Sequence, residues 1–277
     1  MLWYELNEIV KEQKSKGRSD QIIFNILKQH LQYYFLNFLY NSKYGKDLIF
    51  IGGSALRVCY GLNRLSEDID MDTEQGKVID KEELAKDAIK YFKQTYLFDK
   101  IEYTITGHYE KIYFKFPILK ELGVADENES DKLYVKLEIS DAISGTYQTD
   151  LTSVSALGFN FIIRNYNLET LMASKICAIF TRKYFRGDDD NFNFKGRDYF
   201  DLLWYLQKGI VPSMRFIKDT LKIDSLEELY LKLNDLVQKI DVKYLKEDLV
   251  PLFEDGAFID NYCEHYKEMV QQYLIKK

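Results

Sequence analysis

"FIGGSALRVCYGLNRLSEDIDMD", residues 50–72, joins three kinds of local pattern in one short stretch. An apolar run typical of a buried strand stops at Gly52-Gly53-Ser54, where a short helical segment follows. The stretch ends with three carboxylates at alternate positions, Asp68, Asp70 and Asp72. Aspartate fits poorly in a β-strand, so this alternation calls for a functional reason.

The chemistry of the stretch points to an anion beside a cation. Glycines allow close backbone approach to a ligand, and a helix start offers unpaired N–H groups to an anion. Asp68 and Asp70 are two residues apart on a predicted strand, so both side chains project from one face. Their mutual repulsion is relieved by a hard divalent cation, Mg²⁺ or Mn²⁺. This layout is typical of phosphoryl or nucleotidyl transfer.

Composition restricts the class of protein. The chain has 277 residues, 46% of them apolar, which is enough for a sizeable core. A net charge of −6 argues against a protein that coats nucleic acid through bulk charge. The three cysteines are far apart, so neither zinc nor a disulfide framework is expected. With no signal-peptide pattern and no membrane-length apolar run, we expect a cytoplasmic protein without a membrane partner.

The order of periodic segments predicts the fold class. The first part alternates helices with short strands, and from Asn167 onward the pattern is helical almost to the end, apart from a loop-like segment at 187–196. Strands are predicted at 47–52, 68–72, 100–107, 109–117, 132–140 and 156–166, and helices at 3–16, 20–41, 54–61, 80–96, 167–183, 196–208, 212–221, 225–239 and 258–275. The sequence therefore predicts an α+β fold, a mixed sheet with flanking helices followed by a C-terminal helical bundle.

Residues 50–72 resemble the nucleotidyltransferase superfamily that shares a DNA polymerase beta-like palm, and more specifically the AbiEii/AbiGii toxin family. The residues that match the family pattern are Gly52, Gly53, Ala55, Leu56, Tyr60, Gly61, Arg64, Ser66, Asp68 and Asp70, with Ser54 at a position where threonine is commoner. The resemblance spans roughly residues 48–206. It implies a palm-like nucleotidyltransferase domain with N-terminal helices over 1–165, and a helical bundle over 166–277 that contributes Lys175 and Asp198 to the cleft.

The resemblance also implies a metal set. Asp68 and Asp70 would hold the cations, and Glu138 on a later strand would complete the set. Asp141 is the nearest competitor for that third position, and a solvent-facing charge is the alternative reading of Glu138. Asp72 either joins the metal site or is a solvated strand end.

A second group of matching positions lies after residue 166. Lys175, Ala178, Arg182, Arg197, Asp198 and Asp201 follow the family order. The resemblance assigns phosphate binding to Gly52, Gly53, Ser54, Lys175 and Arg182; otherwise Lys175 is a surface lysine that extends its amine to solvent. Asp198 is expected in catalysis, orienting Lys175, Arg197 or the acceptor, unless it complements the helix dipole or links the domains by a salt bridge. For Asp201 a structural role is expected.

The function implied is Mg²⁺-dependent (or Mn²⁺-dependent) transfer of an NMP from an NTP to an acceptor hydroxyl. Family resemblance adds a bacterial toxin of a toxin–antitoxin or abortive-infection system, a cognate antitoxin, and tRNA as the acceptor. A local basic cluster suits an RNA backbone or, alternatively, is a solvated face: Lys175, Arg182, Lys183, Arg186, Lys195 and Arg197. The competing functions are nucleotidylation of a protein or small molecule, and a non-catalytic NTP-binding protein that keeps the fold.

Overall fold

The computed structural model describes residues 2–107, 110–142, 145–182 and 194–275. The chain divides into two compact units. The first comprises Met1–Ala142 and Asp150–Asn165, and the second comprises Ile143–Thr149 and Tyr166–Lys277. The separate roles predicted for residues 1–165 and 166–277 stay a prediction.

One mixed sheet dominates the first unit. Within the described residues it has seven strands, in the spatial order β3-β4-β5-β2-β1-β7-β6. They are β1 Leu48–Ile51, β2 Asp68–Thr73, β3 Glu102–Thr106, β4 Lys111–Pro117, β5 Lys132–Asp141, β6 Thr149–Ala156 and β7 Phe159–Tyr166. Strand β2 runs parallel to β5 and antiparallel to β1, while β1 runs parallel to β7. The predicted α+β class with a mixed sheet is confirmed.

The helices of the first unit cover the sheet with apolar and aromatic side chains. They are α1 Leu2–Ser15, α2 Asp20–Tyr40, α3 Gly52–Tyr60 and α4 Lys81–Tyr96. The ring of Phe35 on α2 lies 4.5 Å from that of Phe114 on β4. On β2, Ile69 and Met71 are buried. Because side chains alternate along a strand, the carboxylates of β2 share the face opposite these two residues.

The second unit is helical, as predicted. Its helices are α5 Leu168–Thr181, α6 Gly196–Gln207, α7 Met214–Leu221, α8 Leu226–Gln238, α9 Val242–Leu249 and α10 Gly256–Leu274. Helix α10 packs against α6, α8 and α9. Its fully buried Tyr266 donates a 2.7 Å hydrogen bond to the carbonyl of Tyr199 on α6. In the part of the chain that the structure describes, no helix is both long and apolar enough to span a membrane.

Three elements depart from the prediction. The sequence does not predict strand β6. It lies at the edge of the sheet, where most of its side chains are partly or fully exposed, so its sequence shows no alternation of apolar and polar residues. The single strand predicted over 156–166 is wrong at its start, since Leu157 and Gly158 form a turn with φ of 54° and 76°. Helix α9 was also missed, because eight residues give too few turns for a clear period.

Candidate active site

An acidic face, defined as Asp68, Asp70, Asp72 and Glu138, forms where β2 and β5 run side by side. The strand register pairs Asp68 with Lys136 and Asp70 with Glu138. Paired residues of parallel strands project to the same side of the sheet, so Glu138 lies beside the two predicted metal ligands on β2. The sequence places Glu138 nearly 70 positions after Asp70, and only the parallel pairing brings them together.

Two lysines neutralise part of this face. The Nζ of Lys136 lies 3.0 Å from Oδ2 of Asp68 and 3.0 Å from Oε2 of Glu138. The Nζ of Lys111, on β4, lies 3.9 Å from Oε1 of Glu138. Burial by itself lowers the pKa of Lys136, but the carboxylates of Asp68 and Glu138 outweigh that effect and raise it. Lys136 is therefore a permanent cation within the acidic face.

The glycine turn contacts the acidic face directly. Helix α3 begins at Gly52, and the residue before it, Ile51, has no side-chain acceptor for the first N–H groups. Gly52 adopts a left-handed φ of 74°, and a Cβ placed there would lie 2.5 Å from Oδ2 of Asp70. Only glycine permits both this backbone conformation and this approach. The start of α3 thus lies against the carboxylate of Asp70.

Gly52→Ala is expected to lower stability and to move Asp70. The left-handed backbone costs about 1–2 kcal/mol for a residue with a Cβ, and the clash with Asp70 adds to this cost. The matched control is Gly61→Ala, since Gly61 has φ of 75° and no described atom lies within 4 Å of its added Cβ. Urea unfolding should show the larger loss for Gly52→Ala, and only this variant should lose nucleotidyl transfer. Equal losses of stability and activity in both variants would contradict this role of Gly52.

Ser54 and Gly53 have structural partners that the sequence did not predict. The hydroxyl of Ser54 donates to the carbonyl of Asp68 and lies 2.9 Å from that of Ser66. A Cβ at Gly53 would clash with the guanidinium group of the buried Arg64. Phosphate binding by Gly53 and Ser54 stays a prediction. Because the hydroxyl of Ser54 already donates to the carbonyl of Asp68, its backbone N–H is the group that we expect to contact a phosphate.

Burial and position on the strand decide between the alternative roles that the sequence left open for Asp72 and Asp141. Asp72 is 4% exposed, so its interpretation as a solvated strand end is wrong. Asp141 lies three positions after Glu138 and hence on the opposite face of β5, where Oδ1 accepts a 2.9 Å hydrogen bond from Thr73. The side chain of Glu138 is 26% exposed and points to the face of Asp68 and Asp70. Of the two candidates for the third carboxylate, Glu138 shares the face of Asp68 and Asp70 and Asp141 does not, while the role of Glu138 as a metal ligand stays a prediction.

The donor set of the acidic face fits a hard divalent cation in its chemistry, because all its ligands are carboxylate oxygens. Within the described residues, no three His, Cys, Asp or Glu side chains are grouped closely enough to hold a metal ion. The ammonium group of Lys136 lies between two of the expected ligands. Binding of a cation by Asp68, Asp70 and Glu138 stays a prediction, and such a site would overlap the contacts that Lys136 makes.

A second charged cluster lies within the helical unit. The Nζ of Lys175 is 2.8 Å from Oδ1 of Asp198 and 2.9 Å from Oδ2 of Asp201. Arg182 lies 3.3 Å from the other oxygen of Asp198. The Lys175 side chain is 12% exposed, so its interpretation as a surface lysine is wrong. Burial raises the pKa of Asp198, but Lys175 and Arg182 outweigh this effect and lower the pKa to about 2.

Several positively charged side chains lie near the start of α6. Burial, together with repulsion from Arg197 and Arg182, lowers the pKa of Lys195 to about 8. The N–H of Gly196 donates a 2.6 Å hydrogen bond to Asp248 of α9, a contact that the sequence did not indicate because α9 was not predicted. Lys183 and Arg186 of the predicted basic cluster lie outside the described residues. Binding of an anion by the described part of the cluster stays a prediction.

Lys195→Met is expected to stabilise the protein near pH 7. In the unfolded chain the pKa of Lys195 is the ordinary 10.5, whereas in the folded protein it is about 8. The charged lysine is therefore less favourable in the folded state, and this lowers the free energy of unfolding at neutral pH. After allowance for solvent screening, we expect a gain of roughly 1–2 kcal/mol at pH 7. The gain should shrink above pH 8 and vanish near pH 10.5. Urea unfolding at several pH values measures it, with the exposed Lys239→Met as control; a loss of stability at pH 7 would contradict the expectation.

A family model described as "Nucleotidyl transferase AbiEii toxin, Type IV TA system" matches residues 35–274 of the chain. No curated protein matches the chain in sequence. Among solved structures, MenT4, a nucleotidyltransferase toxin from Mycobacterium tuberculosis, is 13% identical, with a TM-score of 0.59 over 97% of this chain and 88% of that one. JHP933 from Helicobacter pylori is 19% identical, with a TM-score of 0.48 over 91% of this chain and 94% of that one.

The chain belongs to the AbiEii nucleotidyl transferase toxin family, because the match covers most of its length. It is therefore a nucleotidyltransferase of a toxin–antitoxin system, with an NTP substrate and an antitoxin as its counterpart. The similarity to MenT4 confirms the fold. The match also extends well beyond residue 206, so the C-terminal helices belong to the family domain although they carry no motif that the sequence analysis could read.

Proposed function

We propose that the protein transfers an NMP from an NTP to a hydroxyl of tRNA, and that the acidic face with Mg²⁺ or Mn²⁺ is its catalytic centre. The observation that carries the proposal is the shared face of Asp68, Asp70 and Glu138 beside the start of α3. Carboxylates from neighbouring strands and a helix start are what metal-assisted nucleotidyl transfer requires. A bound divalent cation would supply charge neutralisation at the reacting phosphate.

The acceptor hydroxyl attacks the α-phosphorus in line, the bond to the bridging oxygen breaks, and pyrophosphate leaves with the electron pair. In this scheme Glu138 lies near the attacking hydroxyl and is positioned to accept its proton. The N–H groups at the start of α3, from Gly52 to Ser54, bind phosphate oxygens. Each of these roles depends on placement rather than on a covalent intermediate.

Lys175 and Arg182 are proposed to bind the triphosphate, with Asp198 as the residue that orients the lysine. The 2.8 Å contact between Lys175 and Asp198 supports the orienting role. Asp201 is fully buried and lies 2.9 Å from the same amine, which supports the structural role expected of it. Lysine is a compact charge that suits a phosphate, and a paired carboxylate holds it in one position.

The RNA acceptor is supported by the positive charge at the start of α6. Lys195 and Arg197 flank Gly196 there, and burial together with repulsion from Arg197 and Arg182 lowers the pKa of Lys195. An RNA backbone would bring negative charge to these side chains. Protein or small-molecule acceptors, or binding of NTP without turnover, are the competing outcomes.

The test is incubation of the purified protein with each α-³²P-labelled NTP, Mg²⁺ and total bacterial tRNA. Transfer of label to tRNA by the wild type, but not by Asp68→Ala/Asp70→Ala, would establish the reaction and the nucleotide together. Label on protein or on a small molecule would keep the chemistry and replace the acceptor. NTP binding with no transfer to any acceptor would overturn the proposed turnover.

A further inference from the structure

The ammonium group of Lys136 lies where it neutralises negative charge on the acidic face. It is opposite Asp68 in the strand register and two positions before Glu138 on its own strand, so all three side chains project to one side. Its ammonium group contacts both carboxylates at 3.0 Å. This double contact follows from the parallel register of β2 and β5.

The partial burial of these groups makes the contacts strong. The side chains of Lys136, Asp68 and Glu138 are 20%, 22% and 26% exposed. Charges that are shielded from water interact more strongly and are screened less by salt than those at an open surface. Without the lysine, the carboxylates of β2 and Glu138 would repel one another at short range.

We propose that Lys136 is the resident counter-ion of Asp68 and Glu138, and that a divalent cation binds this face by displacing its ammonium group. The inference rests on the proposed metal-dependent function. It assigns Lys136 a positioning role: the lysine keeps the carboxylates together when no cation is bound, and it weakens cation binding because the cation must compete with it. A double charge interacts with each carboxylate more strongly than a single one, so the exchange is favourable at sufficient cation concentration.

Lys136→Met tests this directly, and strand β5 offers a matched control. Lys132 lies four positions before Lys136 on the same side of β5. Its Nζ lies 3.1 Å from Glu102, which is not one of the four carboxylates of the acidic face. Mn²⁺ binding is measured by electron paramagnetic resonance without nucleotide, at constant ionic strength. We expect Lys136→Met to bind Mn²⁺ at least about tenfold more tightly than the wild type, Lys132→Met to be unchanged within about twofold, and Asp68→Asn to bind less tightly.

Thermal unfolding gives a second readout that does not depend on activity. In EDTA, Lys136→Met should unfold at a lower temperature than the wild type, and Mn²⁺ should restore more of its stability. If Lys136→Met does not fold, the double variant Lys136→Met/Glu138→Gln replaces it. This variant removes one positive and one negative charge, so the net charge at the site is unchanged. This double variant should bind Mn²⁺ more tightly than Glu138→Gln alone.

The outcomes separate this inference from the proposed function. Unchanged or weaker Mn²⁺ binding in Lys136→Met, with Asp68→Asn still impaired, would overturn the counter-ion role and leave the metal site intact. Absence of Mn²⁺ binding in all the proteins, including Lys136→Met, would overturn the counter-ion role and the metal dependence together.

Discussion

Asp70→Asn is expected to reduce nucleotidyl transfer by at least about 10³-fold, or roughly 4 kcal/mol of transition-state stabilisation. The substitution keeps the size of the side chain and removes the charge that the proposed site uses to hold a cation. Asp70 lies beside Glu138 in the register and against Gly52, so it is central to the acidic face. The loss should appear in kcat with the fold preserved, as measured by transfer of label from α-³²P-labelled NTP and by circular dichroism.

Asp141→Asn is the matched control for that experiment. It makes the same chemical change on the neighbouring strand, but its side chain contacts Thr73 on the opposite face. Its activity should stay within about threefold of the wild type, as for a substitution that touches no reacting group. If Asp70→Asn kept more than a tenth of wild-type activity, or if Asp141→Asn lost as much, the acidic face would not be the catalytic centre.

Lys175→Met is expected to lower the free energy of unfolding by about 3–5 kcal/mol, the usual cost of removing one member of a buried ion pair. The carboxylates of Asp198 and Asp201 are 3% and 0% exposed and both contact the Lys175 amine. The substitution leaves them with less positive charge while they remain buried. Urea unfolding, followed by circular dichroism, measures the change.

Two further variants show whether burial is the cause. Lys232→Met removes an exposed lysine that lies 2.7 Å from Glu228, and it should cost no more than about 0.5 kcal/mol. The double variant Lys175→Met/Asp201→Asn should be more stable than Lys175→Met. It also removes the negative charge of Asp201, so that Asp198 is the one carboxylate of the pair left without the Lys175 amine. A cost for Lys175→Met as small as that of Lys232→Met would contradict the buried ion-pair interpretation.

The same cluster has a pH signature. The pKa of Asp198 is lowered to about 2 in the folded protein, against an ordinary value of 3.8. Its contribution to stability is therefore complete above about pH 4 and is lost as the pH falls towards 2. In Lys175→Met the folded-state pKa of Asp198 should rise, so acid unfolding should begin at a higher pH than in the wild type.

Most of the helices and strands could be predicted because their patterns are local. The block from β1 to β2 combines a buried apolar run, a glycine turn and an alternating strand, and each part is readable from a few neighbouring residues. Helix α3 ends at Tyr60 and is followed by Gly61, whose φ of 75° is the left-handed conformation that glycine supplies at a helix end. Strand β6 and helix α9 escaped prediction because an exposed edge strand and a two-turn helix leave little periodicity.

The sequence by itself determined the types and order of the functional residues: a Gly-Gly-Ser turn, carboxylates at Asp68 and Asp70, and a later lysine and aspartate at positions 175 and 198. The tertiary structure alone decided their partners. It placed Glu138 and Lys136 beside the β2 carboxylates, brought Asp141 into contact with Thr73, and buried Lys175 against Asp198 and Asp201. The reason is that charge interactions depend on distance and burial, and both are set by strand register and helix packing between residues far apart in the chain.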